Sequence, residues 1–565
     1  MNPATALARV FADELSRLGV REAVVAPGSR STPLALALHD DPRIRLHVRI
    51  DERSAAYCAL GLGKASGRPA VVVCTSGTAA VNLHPAVVEA AEAAVPLLLL
   101  TADRPPELRG TGAPQAIDQI KLYGSAVRFF AEVGVPEPVP GMVGYWRSLL
   151  SRAWAKSLWD RPGPVHLNVA LREPLLPDGD PAWVEPLDGR AAGWTRYHPP
   201  APDPAGPLLP PARRGLLLCG DTGRDARPYV AAATAAGWPV LAEPTSNARF
   251  GPNAIAAYRH LLQVPAFTGR HRPDAVVVLG RPGLSRGVLR FLREAPRTAV
   301  VSATPDWDDP TRTASAVHAG PPPDRGTAEA DPAWLDAWLR ADRAARTALD
   351  ELIEEHTGLS EPLIAREVAG RVPDGGLLFA GASMPIRDLD GHMAPRSGIR
   401  VLANRGTNGI DGTVSTAVGA ALAHQRSGGG PAYALLGDLS LLYDQNGLVI
   451  GPEEPRPDLA LVVVDNAGGG IFSTLEQAGD EPARFERLFG TPHGVAPERV
   501  AAMAGVPCRS AGTRDELLDA LGGTGLRLVA VRTRRDRQAR LRALAHERVG
   551  AALARTPGIT PALSS

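Results

Sequence analysis

Asp438 and Asn466 are the residues whose types and spacing first suggest chemistry. They lie in the stretch 433–473, YALLGDLSLLYDQNGLVIGPEEPRPDLALVVVDNAGGGIFS. An apolar run, Tyr433 to Leu436, ends at Gly437-Asp438, and a second, Leu459 to Val464, ends at Asp465-Asn466. Short runs that are apolar throughout read as neighbouring strands of a parallel sheet, buried on both faces. The 28 positions from Asp438 to Asn466 suit one crossover, with Leu441, Leu442, Asn446 and Leu448 on the predicted helix. Ligands collect at the carboxyl ends of such strands. One carboxylate, one amide oxygen and a Gly-rich loop would meet there. Hard oxygen donors of this kind suit a magnesium ion that also holds a diphosphate. Gly-Asp after a strand is, by itself, an ordinary turn and helix cap. The Asn466 loop at crossover distance makes the pairing more than that.

A second set of residues could handle protons and carboxylates. Glu52 follows one predicted strand and opens a helix, where an acid is favourable in any protein. Arg30 in GSRSTPL (28–34), Arg104 in ADRPPEL (102–108), Arg387 in SMPIR (383–387) and Arg405 in NRG (404–406) fall at carboxyl ends of predicted strands. One Arg in a loop is usually solvated. Four at strand ends point to bidentate recognition of carboxylates, so the expected substrates are polyanionic. Ile410 in NGIDG is a bulky apolar side chain between glycines, for which ordinary core is an equal reading. GRPGLSRG (280–287) lacks the spacing of a nucleotide loop and is read as a turn, with Arg286 as a further carboxylate contact.

The elements that must position these residues are α/β throughout. A helix over 2–18 opens on Asn2-Pro3 as N-cap and first turn. Strands at 22–26, 44–50, 70–74 and 96–100 alternate with helices at 54–66 and 83–94. Near the C-terminus the order recurs, with strands at 377–380 and 401–403, a helix at 413–426, the two runs above and a last strand in 525–535. This predicts one doubly wound fold used twice, with Asp411 and GDLS where the first copy has Glu52 and TSGT. A third block has strands at 215–219, 240–242, 275–280 and 299–302 and helices at 225–236 and 285–294. Pro-rich 198–214 and residues 303–332 read as linkers. Three domains are expected, at 1–190, 205–340 and 350–555.

The 565 residues carry a net charge of +1, so no global basic field exists to hold nucleic acid. Cys58, Cys74, Cys219 and Cys508 lie far apart without CxxC spacing, which fits a reducing compartment and no structural zinc. The N-terminus lacks the apolar core of a signal peptide, and no apolar run nears the roughly 20 residues of a membrane span. A cytoplasmic protein is expected.

The Gly-Asp, spacer, Asn pairing resembles the diphosphate and magnesium motif of thiamine-diphosphate enzymes. APGSRSTPL, DERSAAYCALGLGKAS, TSGTAAVNLHPAVVEA, LTADRPPELRGTGAPQAI, NRGTNGIDGTVSTA, GDLSLLYDQNGL and DNAGGGIFS together look like one family within that superfamily. It is the menaquinone-pathway 2-succinyl-5-enolpyruvyl-6-hydroxy-3-cyclohexene-1-carboxylate synthase family. The resemblance covers both outer modules and is thin in the middle block and tail. It implies a three-domain thiamine-diphosphate-binding fold, with domain 1–190 holding the pyrimidine and 350–555 the diphosphate. It implies decarboxylation of 2-oxoglutarate and conjugate addition of the resulting carbanion to isochorismate. Glu52 would be a buried acid, its pKa raised by desolvation, hydrogen-bonded to the cofactor's aminopyrimidine. Thr75, Ser76, Asn408, Gly409, Ile410, Gly437, Asp438, Leu439, Ser440, Asn466, Gly468, Gly469 and Ile471 would contact the cofactor. Ile410 would wedge its two rings into a V. Asp438, Asn466 and the Gly468 carbonyl would hold magnesium, with manganese as the alternative ion. Ser29, Arg30, Arg104, Gln115, Ser383, Arg387, Arg405 and Phe472 would hold substrate, with Arg30, Gln115, Arg387 and Arg405 also serving the reaction. A homodimer with active sites at the subunit interface is implied, and pairs of dimers are common in the family. Two departures stand out: Asp465 replaces the first Asn of the usual pair, and Pro114 precedes Gln115. The rival readings are another thiamine-dependent carboligase of the acetolactate synthase type, and a non-catalytic binding protein on the same fold.

Overall fold

In β14 (Ala432–Gly437) and β15 (Leu459–Asp465) the two apolar runs become adjacent parallel strands, in register from Ala432↔Leu459 to Gly437↔Val464. A computed structural model describes residues 1–198, 212–302, 306–318, 331–356 and 358–559. It contains three wholly parallel sheets. The first comprises β1 (Glu22–Val25), β2 (Arg45–Val48), β3 (Ala70–Cys74), β4 (Leu97–Asp103), β5 (Phe129–Glu132) and β6 (Pro164–Ala170), in the order β2-β1-β3-β4-β6-β5. The second comprises β7 (Gly215–Cys219), β8 (Val240–Ala242), β9 (Ala275–Leu279), β10 (Thr298–Val301) and β11 (Ala314–His318), in the order β11-β10-β9-β7-β8. The third adds β12 (Leu377–Ala380), β13 (Arg400–Leu402), β16 (Cys508–Ala511) and β17 (Leu526–Arg532), in the order β13-β12-β14-β15-β17-β16. Strand for strand, the third order repeats the first, so the predicted reuse of one fold is observed. Every residue of β3, β4 and β6 is buried, as sheets covered on both faces require.

The chain packs as two compact units. One is Met1–Pro200 with Asn404–Gly429 and Leu442–Asp458; the other is Ala201–Ala403 with Gly430–Leu441 and Leu459–Ser565. In the first unit helix Glu52–Ser66 lies against helix Thr413–Arg426. Their approach depends on glycine: a Cβ on Gly61 would stand 2.1 Å from the Thr416 carbonyl oxygen, and one on Gly419 would stand 2.1 Å from that of Cys58. The N-terminal helix runs Pro3–Arg17, with the Asn2 side chain accepting from the Thr5 amide as its sequence predicts. In the second unit the Arg249 guanidinium is buried and donates to the carbonyls of Ala242, Ala256, Asp390 and Met393. It thereby ties the second sheet's surroundings to the helix Met384–His392.

Several sequence expectations need correction. The presumed linker 303–332 contains β11, an edge strand on β10 with half-exposed, alternating residues ASAVH. So short and weakly apolar a segment gives no strand signal. Linker residues 199–211 and 319–330, and the tail 560–565, lie outside the described residues. Residues 83–94 hold the tail of a break at Leu83, with helices Thr78–Asn82 and His84–Glu92 on either side. The crossover helix after Asp438 stops at Tyr443, and Gln445–Leu448 is a 3-10 turn. Among the described residues no helix is long and apolar enough to cross a membrane.

Candidate active site

Strand β14 delivers Asp438 as the first residue of a helix, and β15 delivers Asp465 and then Asn466. Asp438 is buried. Its Oδ1 accepts from the Leu439 amide at 2.7 Å and its Oδ2 from the Gly468 amide at 2.8 Å, so the two strand ends do meet. Burial pushes the Asp438 carboxyl above the usual carboxylate range. His493 Nε2 stands 3.2 Å from the same Oδ2. One ligand atom each from Asp438, Asp465 and His493 fall within 4.8 Å of one another. Asn466 is also buried. Its Nδ2 donates to Glu361 Oε1 at 2.8 Å, while its Oδ1 is buried with no hydrogen-bond partner.

A buried acceptor without a donor is costly. Here it follows the strand end next to the one that carries the buried Asp438 carboxyl, whose charged form burial disfavours. That donor set, amide oxygen plus carboxylate, fits a hard divalent cation. Two positions of the loop that follows have no room for a side chain. A Cβ on Gly468, which has φ +132°, would stand 1.9 Å from the Gly490 carbonyl oxygen, and one on Gly470 would stand 2.6 Å from Asn466 Nδ2. The Gly468 carbonyl accepts from the Gly470 amide at 2.9 Å. Gly437, Leu439 and Ser440 flank Asp438, and Gly469 and Ile471 continue the loop. Phe472 is half-buried, 5.6 Å from the Phe489 ring. His493 escaped sequence reasoning because a lone His in TPHG carries no spacing signal. Asp465 was noticed only as a departure from the usual pair.

The remaining residues of the first copy gather at the carboxyl edge of the first sheet. Asp51 caps the helix Glu52–Ser66, accepting from the amides of Arg53 and Ser54, and itself accepts from Asn446 Nδ2 at 2.8 Å. Glu52 is half-buried rather than buried as expected, because it stands at the open start of that helix. Among the described residues no hydrogen bond or ion pair engages its carboxylate. Cys74, at the end of β3, has its thiol pushed up by burial and, to a smaller degree, by the charge of Glu52. Thr75 and Ser76 follow and are buried. Ser76 Oγ donates to the Gln115 carbonyl at 2.8 Å. The Gln115 side chain is exposed, and its φ is +55°.

Arg30 is buried, donates to the Leu171 carbonyl at 3.0 Å, and leaves Nε without a partner. Burial, and then the neighbouring charge of Arg104, lower its pKa. Arg30 thus stands beside a second guanidinium, with only the exposed Glu173 carboxylate at 3.5 Å, among the described residues, to offset the two charges, an arrangement that suits an anion. Ser29 beside them is exposed. Arg405 is buried with Nε unpartnered, in the same unit as Arg30 and Arg104. Asn408 (φ +62°) is exposed, and Gly409 and Ile410 are half-buried, so Ile410 is not core. Asp411 accepts from the Tyr57 hydroxyl at 2.5 Å.

Two placements differ from expectation. GASMPIR is not all loop, because helix Met384–His392 begins within it. Arg387 is therefore on the first turns of a helix, where its NH1 donates to the Ser383 carbonyl at 2.6 Å, and Ser383 has φ +69°. Arg387 also belongs to the other unit from Arg30, Arg104 and Arg405. GRPGLSRG, read as a turn, instead holds an antiparallel bridge from Arg281 to Asp221 and the start of helix Arg286–Arg293, where Arg286 is exposed; Gly280 has φ +72°.

Comparison with known proteins gives the family. Residues 5–122 match the family model described as thiamine pyrophosphate enzyme, N-terminal TPP binding domain. The chain is 59% identical over 562 residues to the 2-succinyl-5-enolpyruvyl-6-hydroxy-3-cyclohexene-1-carboxylate synthase of Thermobifida fusca, covering 98% of this chain and 100% of that one. It is 47% identical to the synthase of Saccharopolyspora erythraea, covering 98% and 99% of the two chains. The Chloroflexus aurantiacus synthase is 40% identical, with 93% of each chain covered. With identity this high along nearly the whole length, the chain belongs to the 2-succinyl-5-enolpyruvyl-6-hydroxy-3-cyclohexene-1-carboxylate synthase family.

Proposed function

We propose that this chain decarboxylates 2-oxoglutarate and adds the remaining four-carbon unit to isochorismate, forming 2-succinyl-5-enolpyruvyl-6-hydroxy-3-cyclohexene-1-carboxylate in menaquinone biosynthesis. Bound thiamine diphosphate would supply the nucleophilic carbon and the electron sink for loss of carbon dioxide. The chain's own residues do the rest. Asp438, Asn466 Oδ1 and the Gly468 carbonyl hold Mg2+, or Mn2+ in its place, against the diphosphate. Glu52 would hydrogen-bond the cofactor's aminopyrimidine through its carboxyl group. Thr75, Ser76, Asn408, Gly409 and Ile410 would line the cofactor's rings, with the half-buried Ile410 side chain packed against them. Gly437, Leu439, Ser440, Gly469 and Ile471 line its diphosphate side.

Arg30, Arg104, Arg387 and Arg405 bind the substrate carboxylates. Fixed positive charge orients both acids before the new carbon–carbon bond forms, which favours addition over simple protonation. Ser29, Gln115, Ser383 and Phe472 complete the substrate contacts, and Arg286 is the middle block's candidate. In this reading the domains are 1–190, 205–340 and 350–555. The working unit is a cytoplasmic homodimer, in which the Glu52 region of one subunit serves the diphosphate end of its partner.

The observation that carries the reading is the unpartnered, buried Asn466 Oδ1 at the end of the strand adjacent to the one that carries the buried Asp438 carboxylate. The test is product identification with 2-oxoglutarate, isochorismate, thiamine diphosphate and Mg2+ present together. Carbon dioxide release should require 2-oxoglutarate, and the six-membered-ring product should form only with isochorismate. Turnover of pyruvate in place of 2-oxoglutarate would instead establish a carboligase of the acetolactate synthase type.

A further inference from the structure

The amide of Asn466 can face the metal site in two ways, and only one presents oxygen. What selects between them is visible around Glu361. This residue opens the helix Glu361–Arg371, whose N-cap Ser360 accepts from the Leu363 amide. Its side chain is buried. Its backbone amide donates to Gln538 Oε1 at 3.1 Å. Its two carboxylate oxygens have separate partners. Oε2 accepts from Arg542 NH2 at 2.6 Å, and Oε1 accepts from Asn466 Nδ2 at 2.8 Å and from Thr533 Oγ1 at 3.4 Å. Arg542 also donates to both oxygens of Asp388, at 3.0 Å each.

An ionised carboxylate can only accept. The amide group turned towards Glu361 must therefore be the NH2, and Oδ1 must point the other way. Asn466 Oδ1 is the atom left buried without a partner. If the Glu361–Arg542 pair served packing alone, Oε2 would suffice for it. The second oxygen is spent on the amide. Arg542 in turn anchors the Glu361 carboxylate in place, because the same guanidinium nitrogen is also held by both oxygens of Asp388.

We propose that Glu361 is a positioning residue: its carboxylate, held by Arg542, fixes the Asn466 amide with the oxygen turned to the divalent cation. The inference rests on Asn466 being a metal ligand. No interaction at this spacing, 105 positions apart, was legible in the sequence.

The test titrates MgCl2 into the full-length protein at fixed thiamine diphosphate and reads binding by calorimetry, without turnover. Outer partners of metal ligands typically contribute about 10- to 100-fold in affinity. Glu361→Gln should therefore raise half-saturating Mg2+ by about tenfold or more, because Gln can turn its own NH2 to Asn466. Asn466→Asp should also weaken binding, since it sets two carboxylates face to face. The exchange variant carrying both Glu361→Gln and Asn466→Asp restores a donor–acceptor pair with an oxygen left for the ion. It should return to within about threefold of the parent, a rescue that a purely structural role for Glu361 cannot produce. Thermal unfolding without Mg2+ and cofactor reports whether each variant folds. Should Glu361→Gln not fold, Glu361→Asp keeps the charge for Arg542 while withdrawing the oxygen, and must show the same weakening. Glu361→Gln binding within twofold of the parent, or an exchange variant no better than the single ones, overturns the proposal. Asn466→Ala separates the two levels: unchanged Mg2+ binding there would remove Asn466 as a ligand, whereas lost binding with an intact Glu361→Gln would remove only Glu361.

Discussion

At the scale of single residues, Glu52 and Asp438 have separable tasks. Glu52 is half-buried, and among the described residues no hydrogen bond or ion pair engages its carboxylate, so replacing it leaves no buried donor stranded. Glu52→Gln is expected to bind thiamine diphosphate within a few-fold of the parent, yet to lower kcat by about 100- to 10,000-fold, the usual reach of a proton-handling group. Steady-state kinetics at saturating cofactor checks this, and unchanged turnover would remove the assignment. Asp438→Ala should instead abolish Mg2+-dependent cofactor binding. It deletes a charged ligand, and it also strands the Gly468 amide. A loss above about 100-fold is expected, since even indirect partners of a ligand contribute 10- to 100-fold. Undiminished binding in the same calorimetric titration would refute it. Asp438 and Asn466 were legible because each terminates an apolar run, and strand ends are where such sheets bind ligands. Glu361, His493 and Arg542 were not. Each reaches the site from an element whose proximity only the folded chain establishes.

At the scale of elements, the strands that sequence reasoning found are those with unbroken apolar runs. Residues 70–74, 215–219 and 377–380 have the expected bounds. The half-exposed strands β5, β11 and β16 went unread, as did the helix Met142–Leu158. A strand at the rim of a sheet buries too little to impose a pattern on its residues. What periodicity also cannot show is how closely two helices approach, and here glycine decides. Gly61→Ala would place a methyl 2.1 Å from the Thr416 carbonyl oxygen, a backbone atom that cannot swing aside. A cost of about 1–3 kcal/mol is expected, as for other overpacked sites. Gly550, inside the helix Arg535–Arg555, has nothing within 4 Å of such a methyl. There Ala should stabilise by about 0.5–1 kcal/mol through helix propensity. Thermal midpoints moving in opposite directions for the two variants would bear this out, and a neutral Gly61→Ala would show that the helices can separate without cost.

At the scale of the whole molecule, buried titratable groups decide how stability depends on pH. Burial pushes His166 down to about 3 and His260 down to about 3, and holds His392 well below the ordinary range. His260 and His392 lie edge to face at 5.6 Å, and the charges of Arg259, His546 and Arg249 further disfavour a proton on His260. These rings fold neutral, whereas an unfolded histidine takes up a proton near 6.5. Their contribution is thus complete above pH 6.5 and is lost as pH falls from there towards about 3. Asp388 and Asp444 oppose it. Burial raises both carboxyls to about 6, so their burial costs most at neutral pH and less as they protonate. At pH 5.5 each neutral histidine has lost about 1.4 kcal/mol, against about 0.8 kcal/mol regained per carboxyl. Burial also lowers His271 and raises Asp103, Asp342 and Asp438, so the test between pH 7.5 and 5.5 is made on a single ring. His260→Gln removes one protonation site while keeping a neutral polar side chain. Its urea midpoint should fall less over that interval than the parent's, by the equivalent of about 1 kcal/mol. Parallel lines for variant and parent would mean that His260 takes no part in acid lability, and that the carboxylate partners of the arginines control it instead.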